Sequence, residues 1–255
     1  MVGARPSALL PAPLTANVGA VAGVRTVPEQ PSWPRLANLK TSGLSLISGL
    51  LVTLPVFLQA PWVRLAPFSA TVFTAPLLAL ALLLSQQANP RLSRAGQLLV
   101  GFSGSWLAGC LFWGWCRLHP LWHLPIEAFA LPLALTGLRG PWKLACGFYL
   151  GSLLGTAATD AAMAVSGVMA YWPQVLSASP ADAPLLLQAA ALQVLSPLPL
   201  LLVSGCAVVL LQACRWLWQR GEVGRVTSAA LATTLAVDAL FLLAALLAPG
   251  LSGLI

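Results

Sequence analysis

From Leu65 to Pro90 the chain carries no ionisable side chain, and six other stretches come close to the same condition. A helix of about 20 apolar residues covers the ~30 Å of hydrocarbon in a bilayer, and within that layer backbone polar groups must be bonded internally. The fold class that follows is all-α, a polytopic membrane helical bundle. Seven spans are expected, over 40–64, 65–90, 94–117, 121–138, 144–172, 184–214 and 226–249. Composition agrees: 7% of residues are charged and mean hydropathy is +0.86, where a soluble domain would be about a quarter charged.

The cations set an orientation. With the N-terminus on the cytoplasmic side and seven spans alternating, Arg5, Arg25, Arg35, Lys40, Arg91, Arg94, Arg139, Lys143, Arg215, Arg220 and Arg225 all fall inside. Only Arg64 and Arg117 fall outside, which is the asymmetry that the positive-inside rule describes. Deleting the proline-rich fourth span would destroy it, so the charge pattern argues for that span. The net charge of +7 is dispersed in ones and twos and forms no patch suited to nucleic acid. Residues 1–40, interrupted by Pro6, Pro11, Pro13, Pro28, Pro31 and Pro34, read as a flexible cytoplasmic tail ahead of a transmembrane domain over 41–255. The same prolines break the continuous apolar core that a secretory signal needs. The five cysteines lie in apolar segments without CxxC or zinc-type spacing, and read as small buried hydrophobes.

An ionisable group at mid-bilayer costs roughly 2.5–3.5 kcal/mol on insertion scales and so needs a partner, a proton or a cavity. Glu127, Asp160 and Asp238 are such groups. Counted at helical rise from the nearest inner cation, they lie at depths of roughly 18, 25 and 20 Å, all in the outer half of the bilayer. The stretch CRLHPLWHLPIEAFALP, 116–132, brings Arg117, His119 and His123 to the outer junction above that layer. The expectation is one polar cluster of Arg117, His119, His123, Glu127, Asp160 and Asp238, in which cation and imidazoles hold some carboxylates ionised.

Within that stretch, Pro125 and Pro132 would orphan the carbonyls of Leu121 and Ala128 in a continuous helix. A helix starting at Pro125, with Glu127 in its first turn, avoids the first loss and leaves the outer third of the span irregular, lining a cavity or an interface. His119, His123 and Glu127 are spaced i, i+4, i+8, the ladder of a metal site, but Pro120 and Pro125 oppose the helix it requires. Whether a metal binds is left open, and no cofactor is expected. In GFYLGSLLGTAATD, 147–160, Gly147, Gly151 and Gly155 repeat every four residues and form a helix-packing groove, while Ser152, Thr156 and Asp160 repeat beside it as a hydroxyl ladder.

The run GWCRLHPLWHLPIEAFALPLAL followed by FYLGSLLGTAATD resembles a family of cyanobacterial integral membrane proteins catalogued as domain of unknown function 3120. The similarity covers about 40–248 and is most specific at Arg117, His119, Pro120, His123, Pro125, Glu127 and Asp160. It implies a plasma or thylakoid membrane of a photosynthetic prokaryote, and it implies no activity, cofactor or catalytic residue.

Three functions fit these features. The first is a small-solute or ion transporter, drawn from the carboxyl layer and the broken span. The second is an accessory or assembly factor of a membrane complex, such as a photosynthetic one, using the glycine groove and kinked spans as binding surfaces. The third, an intramembrane metal-dependent or acid–base enzyme, has the least in its favour: there is no HExxH, no Asp-rich diphosphate motif and no nucleophile at reliable spacing from a base. The expected partners are the bilayer, with a homo-oligomer or other complex subunits as further candidates, and not nucleic acid.

Overall fold

The structure, a computed structural model, describes residues 43–251. The N-terminal tail expected over 1–40, with Arg5, Arg25, Arg35 and Lys40, lies outside the described residues. Within them the chain is helical and has no strand: α1 (Gly43–Leu54), α2 (Ala60–Leu65), α3 (Pro67–Val72), α4 (Thr74–Ser85), α5 (Pro90–Leu111), α6 (His123–Glu127), α7 (Leu131–Gly137), α8 (Lys143–Val165), α9 (Trp172–Ser177), α10 (Ala183–Val194), α11 (Pro197–Trp218) and α12 (Gly221–Leu247).

Proline and glycine account for most of the boundaries. Pro55 lies inside the first apolar stretch, where a missing N–H forces a wider turn, and the chain there is a π-helix, Pro55–Gln59, joining α1 to α2. A second π-turn, Phe112–Cys116, ends α5. Asn89 caps α5, its side chain accepting from the Arg91 N–H, with Pro90 at the first helical position. Gly167, at φ 72°, ends α8 in the left-handed region that glycine adopts without strain.

The stretch read as a single sixth span, 184–214, is divided. Ser196 is extended at φ −63° and ψ 149°, the conformation that a following proline imposes, and it separates α10 from α11. Among the described residues, five helices are long and apolar enough to cross a membrane: Gly43–Leu65, Pro67–Ser85, Pro90–Cys116, Pro197–Trp218 and Gly221–Leu247. Lys143–Val165 makes a sixth when taken with Val168–Ser177, from which it bends by 92°. The stretch 121–138 is no continuous helix. Its α-helices are only α6 and α7, of 5 and 7 residues.

Side-chain contacts fix the helix directions. Gln59 bonds to Trp106 and Cys110 while Val63 meets Gly114, so α1–α2 and α5 run the same way. Gly101 lies on Ala145, and Phe112 packs on His123, which bonds Asp160, so α8 runs with them. Gly147 meets Val223 and Gly155 meets Thr234, so α12 does too. The connections must therefore travel back: α3–α4 beside α5, the segment 117–142 beside α8, and α11 beside α12. Arg91, Arg94, Lys143, Arg220 and Arg225, at or near the starts of the parallel helices, share one end of the bundle with Arg139 and Arg215. Arg64 and Arg117 stand at the other.

Candidate functional site

Asp160 is the last polar position of GFYLGSLLGTAATD before α8 gives out, and it is 9% exposed. One of its oxygens lies 2.9 Å from Nδ1 of His123, the first residue of α6, and when Asp160 is ionised the ring N–H donates to it. Three aromatic rings surround that histidine. Phe112, Trp172 and Trp113 have centroids 4.4, 5.8 and 6.2 Å from the imidazole. Trp172 anchors this box by donating its indole N–H to the Arg117 carbonyl, and it stacks on Trp113 at 5.4 Å and 19°.

Asp238, the one ionisable residue of α12 beyond Arg225, reaches Thr159 of α8, with Oδ2 2.5 Å from the hydroxyl oxygen. The Gly155 carbonyl lies 3.0 Å from the same hydroxyl. A threonine has a single hydroxyl proton. With Asp238 ionised, that proton goes to the carboxylate; with Asp238 protonated, the acid donates to Thr159 and the hydroxyl is free to donate to Gly155. The triplet therefore has two satisfied arrangements that differ by one proton.

The Asp160 and Asp238 groups face a common cavity of about 420 Å³. Gln59, Thr156 and Thr234 add polar atoms to it, while Val56, Met163, Trp172 and Phe241 make much of the wall apolar. Gln59 is 3% exposed and is held by donating to the Trp106 carbonyl and the Cys110 sulfur. Both π-helical turns border the cavity, through Pro55, Val56 and Gln59 on one side and Trp113 on the other. A smaller hollow of about 200 Å³ shares Arg64, Arg117, Val175 and Leu176 with the first and continues to Pro180 and Pro249. The two arginines thus stand where the hollows join. Among the described residues no carboxylate lies within ion-pair distance of the Arg117 guanidinium.

Of the residues expected to cluster, His123, Asp160, Asp238 and Arg117 line one cavity. Glu127 interacts electrostatically with His123 and Asp160 but does not line it. His119 stays on an exposed turn, at the N-cap of a short 3-10 helix, Pro120–Trp122. The expected helix start at Pro125 is not what the chain does: α6 begins at His123 and Glu127 is its last residue, not in its first turn. The physical reason is that Pro125 is the third residue of α6, where an N–H has no intrahelical partner to lose. Pro132 sits likewise at the second position of α7. The broken backbone between them is bonded by Tyr149 of α8, whose hydroxyl donates to the Glu127 carbonyl and accepts from the Ala130 N–H.

The ladder His119, His123, Glu127 does not form on one helix, and the described residues contain no group of three or more His, Cys, Asp or Glu suited to a metal. Cysteine is varied: Cys110, Cys146 and Cys214 are buried, Cys206 is exposed, and all five are free. Gly147, Gly151 and Gly155 do face a close helix. A Cβ on Gly151 would stand 2.5 Å from the Thr227 carbonyl oxygen, and one on Gly155 2.6 Å from the Thr234 Cβ. In the hydroxyl ladder, Thr156 lines the cavity and Ser152 does not. Thr159, Gln59 and Trp172 escaped the sequence reading; an amide and a hydroxyl within apolar stretches are the signals that marked the first two.

No curated protein and no solved structure matches the chain. Residues 48–246 match a family described as protein of unknown function (DUF3120), so the match takes in the bundle together with the His123, Asp160 and Asp238 cavity, and the chain belongs to that family.

Proposed function

We propose that the protein is a small-solute or ion permease whose binding chamber is the cavity between α2, α8 and α12. The observation that carries this reading is the meeting of two carboxylates from separate apolar helices, Asp160 and Asp238, in one chamber of about 420 Å³. Acidic groups are costly within the membrane and are found where they face a cavity or a substrate path. The two-state hydrogen bonding of Thr159 supports proton coupling, since it lets Asp238 gain or lose a proton without leaving an unsatisfied group. We further infer that the end bearing Arg91, Arg94, Arg139, Lys143, Arg215, Arg220 and Arg225 is cytoplasmic, which opens the chamber toward the opposite face. The family resemblance adds the expectation of a cyanobacterial plasma or thylakoid membrane.

An assembly factor would need a free surface, and the glycine groove that suggested one is filled by α12 of the same chain. For the permease, proton flux in proteoliposomes, followed with an entrapped pH-sensitive dye under a clamped potential, is expected to fall about tenfold or more in Asp160→Asn, as loss of a buried charge partner implies. Flux that persists unchanged in folded Asp160→Asn and Asp238→Asn removes the reading.

A further inference from the structure

The chamber is electrically polarised along the bundle axis. At its floor are Asp160 and Asp238, with the His123 ring beside them. At its junction with the smaller hollow are Arg64 and Arg117. Ionised carboxylates accept hydrogen bonds and donate none, while guanidinium groups donate and accept none. The two poles therefore ask for opposite chemistry from whatever lies between them.

Their separation follows from the register of the helices. His123 and Asp160 lie level with Phe112. Val63 lies level with Gly114, which places Arg64 and Arg117 about three and five residues further along than Phe112. At helical rise, with allowance for the reach of an arginine side chain, the charges are spaced roughly 5–10 Å apart. Between them the wall is apolar and aromatic, with Trp113 stacked on Trp172, surfaces that accept an alkyl chain and attract a cation over a ring face.

Resting on the permease reading above, we infer that the chamber's substrate is a dipolar organic solute. Its amine lies against Asp160 and Asp238, its apolar segment beside Trp172, and its anionic group at Arg117. A simple cation would meet the Arg117 guanidinium at the junction, and a simple anion two carboxylates at the floor. Glycine carries both charges but has no apolar segment to lie beside Trp172. A volume of about 420 Å³ lies within the roughly 300–1,000 Å³ typical of small-molecule sites.

The test uses the full chain in nanodiscs and a series of probes: glycine, aminohexanoate and aminooctanoate, with hexylamine and hexanoate as single-charge controls. Binding is read by calorimetry and by the shift in thermal midpoint. Aminohexanoate or aminooctanoate is expected to bind about tenfold or more tightly than glycine, which lacks the apolar segment, and than both controls, each of which answers only one pole. With Asp160 alone left to hold the amine, Asp238→Asn should bring the bifunctional probe toward the affinity of hexanoate. Arg117→Gln should reduce it to that of hexylamine, and Arg117→Lys should restore part of the loss. The unliganded midpoint of each variant separates lost binding from lost folding. Equal binding of bifunctional and single-charge probes, or no binding by any of them, overturns the inference. Selective binding without flux would sink the permease reading and leave the ligand class standing. Flux that depends on Asp160 but shows no preference in the series would do the reverse.

Discussion

Two of the elements packed along α8 make opposite use of it. On one side, α12 lies so close that three glycines of α8 have no room for a side chain, and the two helices stay regular for most of their length. On the other, the return segment with α6 and α7 is cut by Pro125 and Pro132, and its backbone leans on Tyr149. The glycine seam forms a frame and the proline segment a lining. His123 reaches Asp160 because the lining is broken, and Asp238 reaches Thr159 because the frame is tight. A chamber in apolar surroundings needs both: irregular backbone to turn polar groups inward, and a rigid neighbour to satisfy what that backbone leaves open.

The largest effect tests the frame. Gly151→Leu forces a side chain into the Thr227 backbone, which cannot move aside as a flexible side chain would. Overpacking costs about 1–3 kcal/mol, more against backbone, so the variant is expected to be lost from the monodisperse peak in size-exclusion chromatography. Gly205→Leu, with nothing within 4 Å of the added Cβ, should elute like the wild type. Equal behaviour of the two would show that α8 and α12 are not held by that groove.

The frame was legible in the sequence and the lining only in part, for a physical reason. Apolar runs and a four-residue glycine repeat are properties of a single helix, and they lead directly to spans and to a packed face. The chamber depends on register between helices. No spacing along the chain states that Thr159, and not Thr156 or Ser152, meets Asp238, or that Gln59 turns toward Trp106 and Cys110. His119 and His123 look alike in sequence. Their separation comes from the turn at Cys116–His119, where the His119 N–H donates to the Cys116 carbonyl and the chain reverses before α6 begins. The prolines were read as breaks, which they are. How the backbone between them is held follows from the Tyr149 bonds, and those join residues about twenty positions apart.

The middle effect tests the lining. Tyr149→Phe keeps the ring and removes both bonds to the broken backbone. Hydrogen bonds between membrane helices are worth about 0.6–2 kcal/mol each, so the loss should be local and not global. Hydrogen exchange is expected to accelerate at Ala130 and through α7 while the α8–α12 seam keeps its protection. Faster exchange along α12 as well would mean that frame and lining open together, and the contrast between them would fail.

The smallest effect lies at the opposite end of the frame, where Arg94 of α5 meets Glu222 of α12 at 3.1 Å with side chains 50% and 36% exposed. An ion pair in water is worth about 0–1 kcal/mol. Glu222 is also the acidic residue in the first turn of α12, where the helix dipole adds about 0.3–1 kcal/mol to an anion. The two contributions separate by substitution. Arg94→Gln removes only the pair, whereas Glu222→Gln removes the pair and the charge at the helix start, so the second should lower the thermal midpoint more than the first. At about 1 M salt, where the screening length is roughly 3 Å, most of the Arg94→Gln effect should vanish. A drop for Arg94→Gln rivalling that of Gly151→Leu would mean that this end is closed by charge and not by glycine packing.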